Sequence, residues 1–174
     1  MNVNRQQLLY IAPHAGAKVS NVLPHLNECA KRYEINTPLR MAHFLAQVCH
    51  ESGEFRYVKE LASGMAYEGR KDLGNVYAGD GPLYKGRGYM QLTGRNNYTR
   101  YEKDSGNAVV KNPKLLESPK LAMDSACWFW KTHGLNELAD KDNLTLVTKR
   151  VNGGLNGFKE REKYLLRAKK ALGI

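Results

Sequence analysis

Between residues 38 and 49 the apolar positions Leu39, Met41, Ala42, Phe44, Leu45, Ala46, Val48 and Cys49 leave almost no polar face on a helical wheel. That pattern predicts a helix buried on most sides. Pro38 suits its first turn and Gly53 its end. Residues 18–33 read differently: Val19, Val22, Leu23, Leu26, Cys29, Ala30 and Tyr33 recur at steps of three and four, predicting a surface helix with one buried stripe. Pro24 displaces its expected start, with Ser20 or Asn21 as N-cap. A second buried helix is predicted over 118–132 from Leu121, Ala122, Ser125, Ala126, Trp128, Phe129 and Trp130, opened by Ser118-Pro119 and stopped by Gly134. Shorter helical patterns occupy 5–11, 96–103, 135–139 and 143–151, and a last helix is expected over 158–172.

From Glu54 to Gly81 the pattern breaks up. Short apolar pieces at Phe55, Tyr57-Val58 and Leu61-Ala62 alternate with Gly64, Gly69, Gly74, Gly79 and Gly81, which predicts a small sheet or an irregular lobe. Residues 84–94 form a strand-like piece between glycines. With no internal repeat and no linker, residues 1–174 read as one α+β domain, mostly helical, with a small β lobe beside a buried central helix.

At 42% hydrophobic and 25% charged residues, the composition is that of a globular protein and excludes a disordered chain. Lys and Arg number 27 against 17 Asp and Glu, a net charge of +10, with a basic tail at Lys159, Arg161, Lys163, Arg167, Lys169 and Lys170. An acidic partner is expected: nucleic acid, anionic lipid or the acids of a bacterial envelope. Cys29, Cys49 and Cys127 are odd in number and widely spaced, and they read as buried thiols rather than a disulfide framework or zinc site. The first residues lack the apolar core of a signal peptide, and no run of about 18 apolar residues occurs.

Glu51 ends the apolar run in His50-Glu51-Ser52-Gly53. Apolar walls there would disfavour its charged form, the setting of a general acid. Glycoside hydrolysis needs a second, ionised carboxylate. A continuous helix from Glu51 to Glu60 would turn the two through about 900° and separate them by roughly 13.5 Å along the axis, so the pair needs the break at Gly53 and a Glu60 that faces back across a cleft. Glu68 is the other candidate. Glu54 follows Glu51 too closely and reads as a structural residue at the same helix end.

His50-Glu51-Ser52-Gly53, the stretch Tyr84-Lys85-Gly86-Arg87-Gly88-Tyr89-Met90-Gln91-Leu92-Thr93-Gly94-Arg95-Asn96-Asn97-Tyr98, then Ala126-Cys127-Trp128-Phe129-Trp130 and Val151-Asn152-Gly153-Gly154 resemble, in order, the motifs of glycoside hydrolase family 19. That family holds chitinases and phage endolysins of lysozyme-like fold, and the chain most resembles the short endolysins. The resemblance implies Glu51 as general acid, Glu60 as base, and Thr93 as the residue that helps hold the attacking water. It implies Gln91, Asn97, Asn152 and Arg161 as groove or active-site positions, with His50 arranging the surroundings of Glu51. It further implies an inverting mechanism without metal or cofactor, in a monomer that acts on peptidoglycan strands, has no separate cell-wall-binding module, and waits in the host cytoplasm for release to the wall. Chitin, or a non-catalytic glycan-binding role, is the alternative.

Three other readings are weaker. Residues 85–92 look like an RNA-binding strand, but Arg87 stands where a stacking aromatic belongs, so no nucleic-acid partner is expected. His43 and His50 are about 10.5 Å apart along the helix, too far to share a zinc ion. Trp128, Phe129 and Trp130 read as core rather than a sugar platform. The basic C-terminal helix is a candidate for contacts with anionic envelope polymers or membrane.

Overall fold

The computed structural model describes residues 1–174. The chain is mostly helical: α1 (Arg5–Ile11), α2 (Lys18–Arg32), α3 (Pro38–Ser52), α4 (Asp80–Leu83), α5 (Arg95–Ser105), α6 (Pro119–Thr132), α7 (Leu135–Asp140), α8 (Leu144–Asn152) and α9 (Phe158–Leu172). It divides into two compact units, one of Met1–Arg56 with Cys127–Ile174 and one of Tyr57–Ala126. No helix is long and apolar enough to cross a membrane.

The first unit is built on α3. Thr37 caps it by accepting a hydrogen bond from the Arg40 N–H, Pro38 fills its first turn, and Gly53 closes it in the left-handed conformation. Met41, Ala42, Phe44, Leu45, Ala46, Val48 and Cys49 are fully buried, as the apolar run predicts. Phe44 meets Trp130 edge to face with centroids 5.4 Å apart, and Trp128 and Trp130 are core, whereas Phe129 is half-buried and stacks on His133. Of the polar groups buried on α3, Gln47 donates to Thr148 Oγ1 at 3.2 Å, and His43 Nε2 lies 2.7 Å from Asp142 Oδ1 while its Nδ1 has no hydrogen-bond partner. The α2 helix starts earlier than expected, after Ala17, and runs through Pro24. Its first turn is closed by tight bonds from Lys18 to Ala15 and from Val19 to Gly16, so no side-chain cap at Ser20 or Asn21 is needed.

The second unit takes the irregular form of the lobe. Its only pairing of extended backbone is two isolated bridges, Lys59 with Arg87 and Arg87 with Leu92. Residues 84–94 cannot extend as a strand because Gly88, Gln91 and Gly94 have φ of 80°, 55° and 95°. Charges inside the lobe replace ladder bonds. Arg87, 6% exposed, donates to Leu83 O at 2.7 Å, to the Tyr98 hydroxyl at 3.1 Å and to Glu117 Oε1 at 3.1 Å. Arg95 clasps the buried Asp80 with bonds of 2.6 and 2.8 Å and lies 4.8 Å from the ring centres of Tyr77 and Tyr84.

Candidate active site

In the first unit, Glu51 sits in the last turn of α3, half-buried. Its neighbour is a cation rather than the apolar walls expected: Arg161 of α9, 1% exposed, donates from Nη2 to Glu51 Oε1 at 2.6 Å. The same guanidinium donates to Gln47 Oε1 at 2.5 Å and to Asn156 O at 3.0 Å. Three bonds fix its plane, so it holds Glu51 at one place. Being buried, Arg161 orients the carboxylate and does not line a groove. His50 turns away from Glu51, with Nδ1 2.9 Å from Glu160 Oε1. Its ring packs so closely on Gly157 that a Cβ there would meet Cε1 at 2.2 Å. Asn152 is exposed at the end of α8, which Gly153 stops.

In the second unit, Glu60, Gln91 and Thr93 converge on Gly86. A Cβ at Gly86 would lie 2.8 Å from Gln91 Oε1, 2.9 Å from Glu60 Oε2 and 3.3 Å from Thr93 Oγ1. The Glu60 N–H donates to Gly86 O at 2.9 Å, which pins the two segments together. Gln91 donates to Gly88 O at 2.9 Å, Thr93 Oγ1 donates to Gln91 O at 2.8 Å, and Asn97 donates to Thr93 O at 2.7 Å. With its proton committed to Gln91, the Thr93 hydroxyl presents its lone pairs as acceptors.

The Glu60 carboxylate is unevenly partnered. Oε2 accepts from the Tyr67 hydroxyl at 2.9 Å, while Oε1 is buried without a hydrogen-bond partner. Such an atom is uncommon in a folded protein and marks a group with work outside packing. Burial first, then the bond to Glu60, push the Tyr67 phenol above its ordinary range, so it stays a neutral donor. Tyr67 and Gln47 belong to these two clusters but carried no sequence signal, since nothing in their spacing ties them to a carboxylate.

Glu68 is occupied elsewhere. Its two oxygens accept the backbone N–H groups of Gly79 and Gly81 at 2.7 and 2.8 Å, so it closes a loop.

The sequence model of the Chitinase class I family, glycoside hydrolase 19, matches residues 33–152. A glycosyl hydrolase family 19 domain-containing protein of Haemophilus influenzae is 30% identical over 182 residues, covering 87% of this chain and 88% of that protein. An endochitinase of Arabidopsis thaliana is 35% identical over 116 residues, covering 66% of this chain and 39% of the endochitinase. The chain thus spans well under half the length of that plant relative. Chitinase C from Streptomyces griseus superposes with a TM-score of 0.79 over 98% of this chain and 76% of its own, at 22% identity. A second bacterial family 19 chitinase gives 0.79 over 99% and 95%, also at 22% identity. The mostly helical, lysozyme-like fold is therefore theirs, and with its family model matched over residues 33–152 the chain belongs to glycoside hydrolase family 19 and is a glycoside hydrolase.

Proposed function

We propose that the protein is an endolysin of phage type that cleaves the β-1,4 glycosidic bonds of bacterial peptidoglycan by single displacement with inversion. The observation that carries the reading is the pair of differently held carboxylates, Glu51 fixed by Arg161 and Glu60 with one unpartnered oxygen. Glu51 protonates the departing glycosidic oxygen. Glu60 accepts, at Oε1, a proton from the water that attacks the anomeric carbon. Thr93 accepts the water's second hydrogen and so aims its lone pair. Inversion requires the carboxyl groups to stand roughly 6.5–9.5 Å apart during reaction, leaving room for that water. Gln91, Asn97 and Asn152 contact the sugars, and His50 contributes through the end of α3.

Peptidoglycan is favoured over chitin by the net charge of +10, which suits a wall rich in carboxylates and phosphates. The exposed Lys159, Lys163 and Lys170 of α9 add contacts to those acids. The chain works as a single catalytic domain and a monomer, released to the wall from the host cytoplasm. Chitin hydrolysis is the second reading, favoured by the relatives named endochitinase and chitinase. The test is a parallel digest of purified peptidoglycan and chitin oligosaccharide, with Glu51→Gln as control and products identified by mass spectrometry. New reducing ends from peptidoglycan support the endolysin reading; cleavage of chitin alone transfers the activity to chitin.

A further inference from the structure

The α9 helix grips the end of α3 at two points. Arg161 reaches Glu51 at 2.6 Å, and three residues further on Tyr164 donates its hydroxyl to Glu54 Oε1 at 2.8 Å. Positions three apart share one face of a helix, so both bonds leave the same side of α9. Between the two carboxylates the chain makes a left-handed turn: Gly53, Glu54 and Phe55 have φ of 56°, 58° and 66°. Glycine adopts this conformation freely, whereas Glu54 and Phe55 are held in it against a steric cost. Gly53 alone would have sufficed to end the helix.

The turn is bound from within and from outside. Its own bonds run from the Glu54 N–H to Cys49 O at 2.8 Å and from the Phe55 N–H to Ser52 Oγ at 2.8 Å. Glu54 is 4% exposed, yet both its oxygens are satisfied by distant segments. Oε1 takes the Tyr164 hydroxyl and lies 3.1 Å from His14 Nδ1, and Oε2 takes the His14 N–H at 2.5 Å. Burial by itself pushes this carboxyl up, but the bonds from His14 and Tyr164 outweigh it and leave it below the ordinary carboxylate range. A buried, ionised carboxylate in a strained turn, tied to both α9 and the segment before α2, exceeds what a helix end requires.

We propose that Glu54 is a positioning residue for the acid: with Tyr164 and His14 it locks the turn after α3, so that Glu51, three residues upstream, presents its carboxyl in one orientation. This rests on Glu51 being the general acid. Arg161 holds one carboxylate oxygen of Glu51, whereas the bonds of Glu54 to Tyr164 and His14 hold the backbone turn that follows it, so the second grip fixes the end of the helix from which Glu51 projects. Loosening it misplaces the proton donor without altering groups that bind sugar, so the loss falls on kcat rather than KM.

The clamp opens onto a cleft of about 400 Å³ lined by His14, Lys18, Gly53, Glu54, Arg56 and Tyr164, so water can replace a deleted hydroxyl and Tyr164→Phe should fold. The test measures kcat, KM and melting temperature for Glu54→Gln, Tyr164→Phe and Glu54→Gly on the glycan the parent cleaves, with Glu51→Gln alongside. Glu54→Gly removes the clamp but relieves the turn, which keeps the fold intact. All three are expected to lower kcat about ten-fold or more with KM changed by less than about two-fold, the glycine variant melting within a few degrees of the parent. Parental kcat in a folded Glu54→Gly protein overturns the proposal, as do lower melting temperatures with kcat unchanged in all three. Normal turnover by Glu51→Gln overturns the acid assignment itself, and is distinguished from failure of the clamp by leaving Glu51 dispensable.

Discussion

Glu51 and Glu60 sit in regions that hold a carboxylate by opposite means. Glu51 ends a regular helix and is fixed by a buried guanidinium 110 positions away, which is itself tied to Gln47 and to the Asn156 carbonyl. Glu60 lies in an irregular lobe, against a neutral phenol seven positions on, with Gly86 making room for it and one oxygen left without a partner. The contrast shows two ways to make a carboxyl useful. A charged donor that is itself fixed by further bonds confers position; a single neutral donor leaves the other oxygen an acceptor free for a substrate water.

The largest expected effect is at the positioned group. Glu51→Gln should lower kcat/KM by about 10³-fold, within the range of a general acid, while the melting temperature holds. A folded variant with parental turnover would dissolve the comparison. Glu60→Gln should lose about 10² to 10³-fold. Its counterpart Glu68→Gln should keep turnover within about two-fold but melt earlier, having weakened two charge-assisted bonds to the Gly79 and Gly81 N–H groups. If the two variants exchange these behaviours, Glu68 is the base.

Arg161→Met should cost about 3 kcal/mol of stability in a denaturant melt, because Glu51 and Gln47 lose their shared donor in a largely buried place. Tyr67→Phe should cost far less stability and lower turnover by only about ten-fold, since it removes one neutral bond from Glu60. Equal losses would mean that the two regions are held alike.

The smallest effect is a pH dependence confined to the lobe. The Arg95 hydrogen bonds hold the Asp80 carboxyl below its ordinary range against its burial. Its folded pKa is thus depressed relative to the unfolded chain, so its stabilisation is complete above about pH 4 and is lost as pH falls through the folded value. Asp80→Asn should melt earlier at neutral pH, and the gap from the parent should narrow below about pH 4. A gap constant down to about pH 2 would remove the ion pair as its cause.

Much of this was legible along the chain. The period of apolar positions located α3, α6 and α9, because a helix must turn its apolar residues to the core every three or four positions. The stops at Gly53 and Gly134 followed from the freedom of glycine to take positive φ. The lobe was harder. Residues 84–94 look like a strand, and the positive φ of Gly88, Gly94 and Gln91, the last a residue that gives no such signal, shows why they are not. Asp80 with Arg95, and Arg87 with Glu117, carry the lobe's interior, yet a charged residue reads as surface until its partner is known.

Sequence by itself determined the helical frame, the carboxylate at the end of its most buried member, and the family, since local periodicity and ordered motifs are properties of neighbouring residues. Tertiary structure decided which groups surround each carboxylate: Arg161 beside Glu51, Tyr67 and an unpartnered oxygen at Glu60, and backbone N–H groups closing off Glu68. Chemistry at a carboxylate depends on burial and on the charge of what lies within about 4 Å, and side chains that near in space can stand a hundred positions apart in the chain.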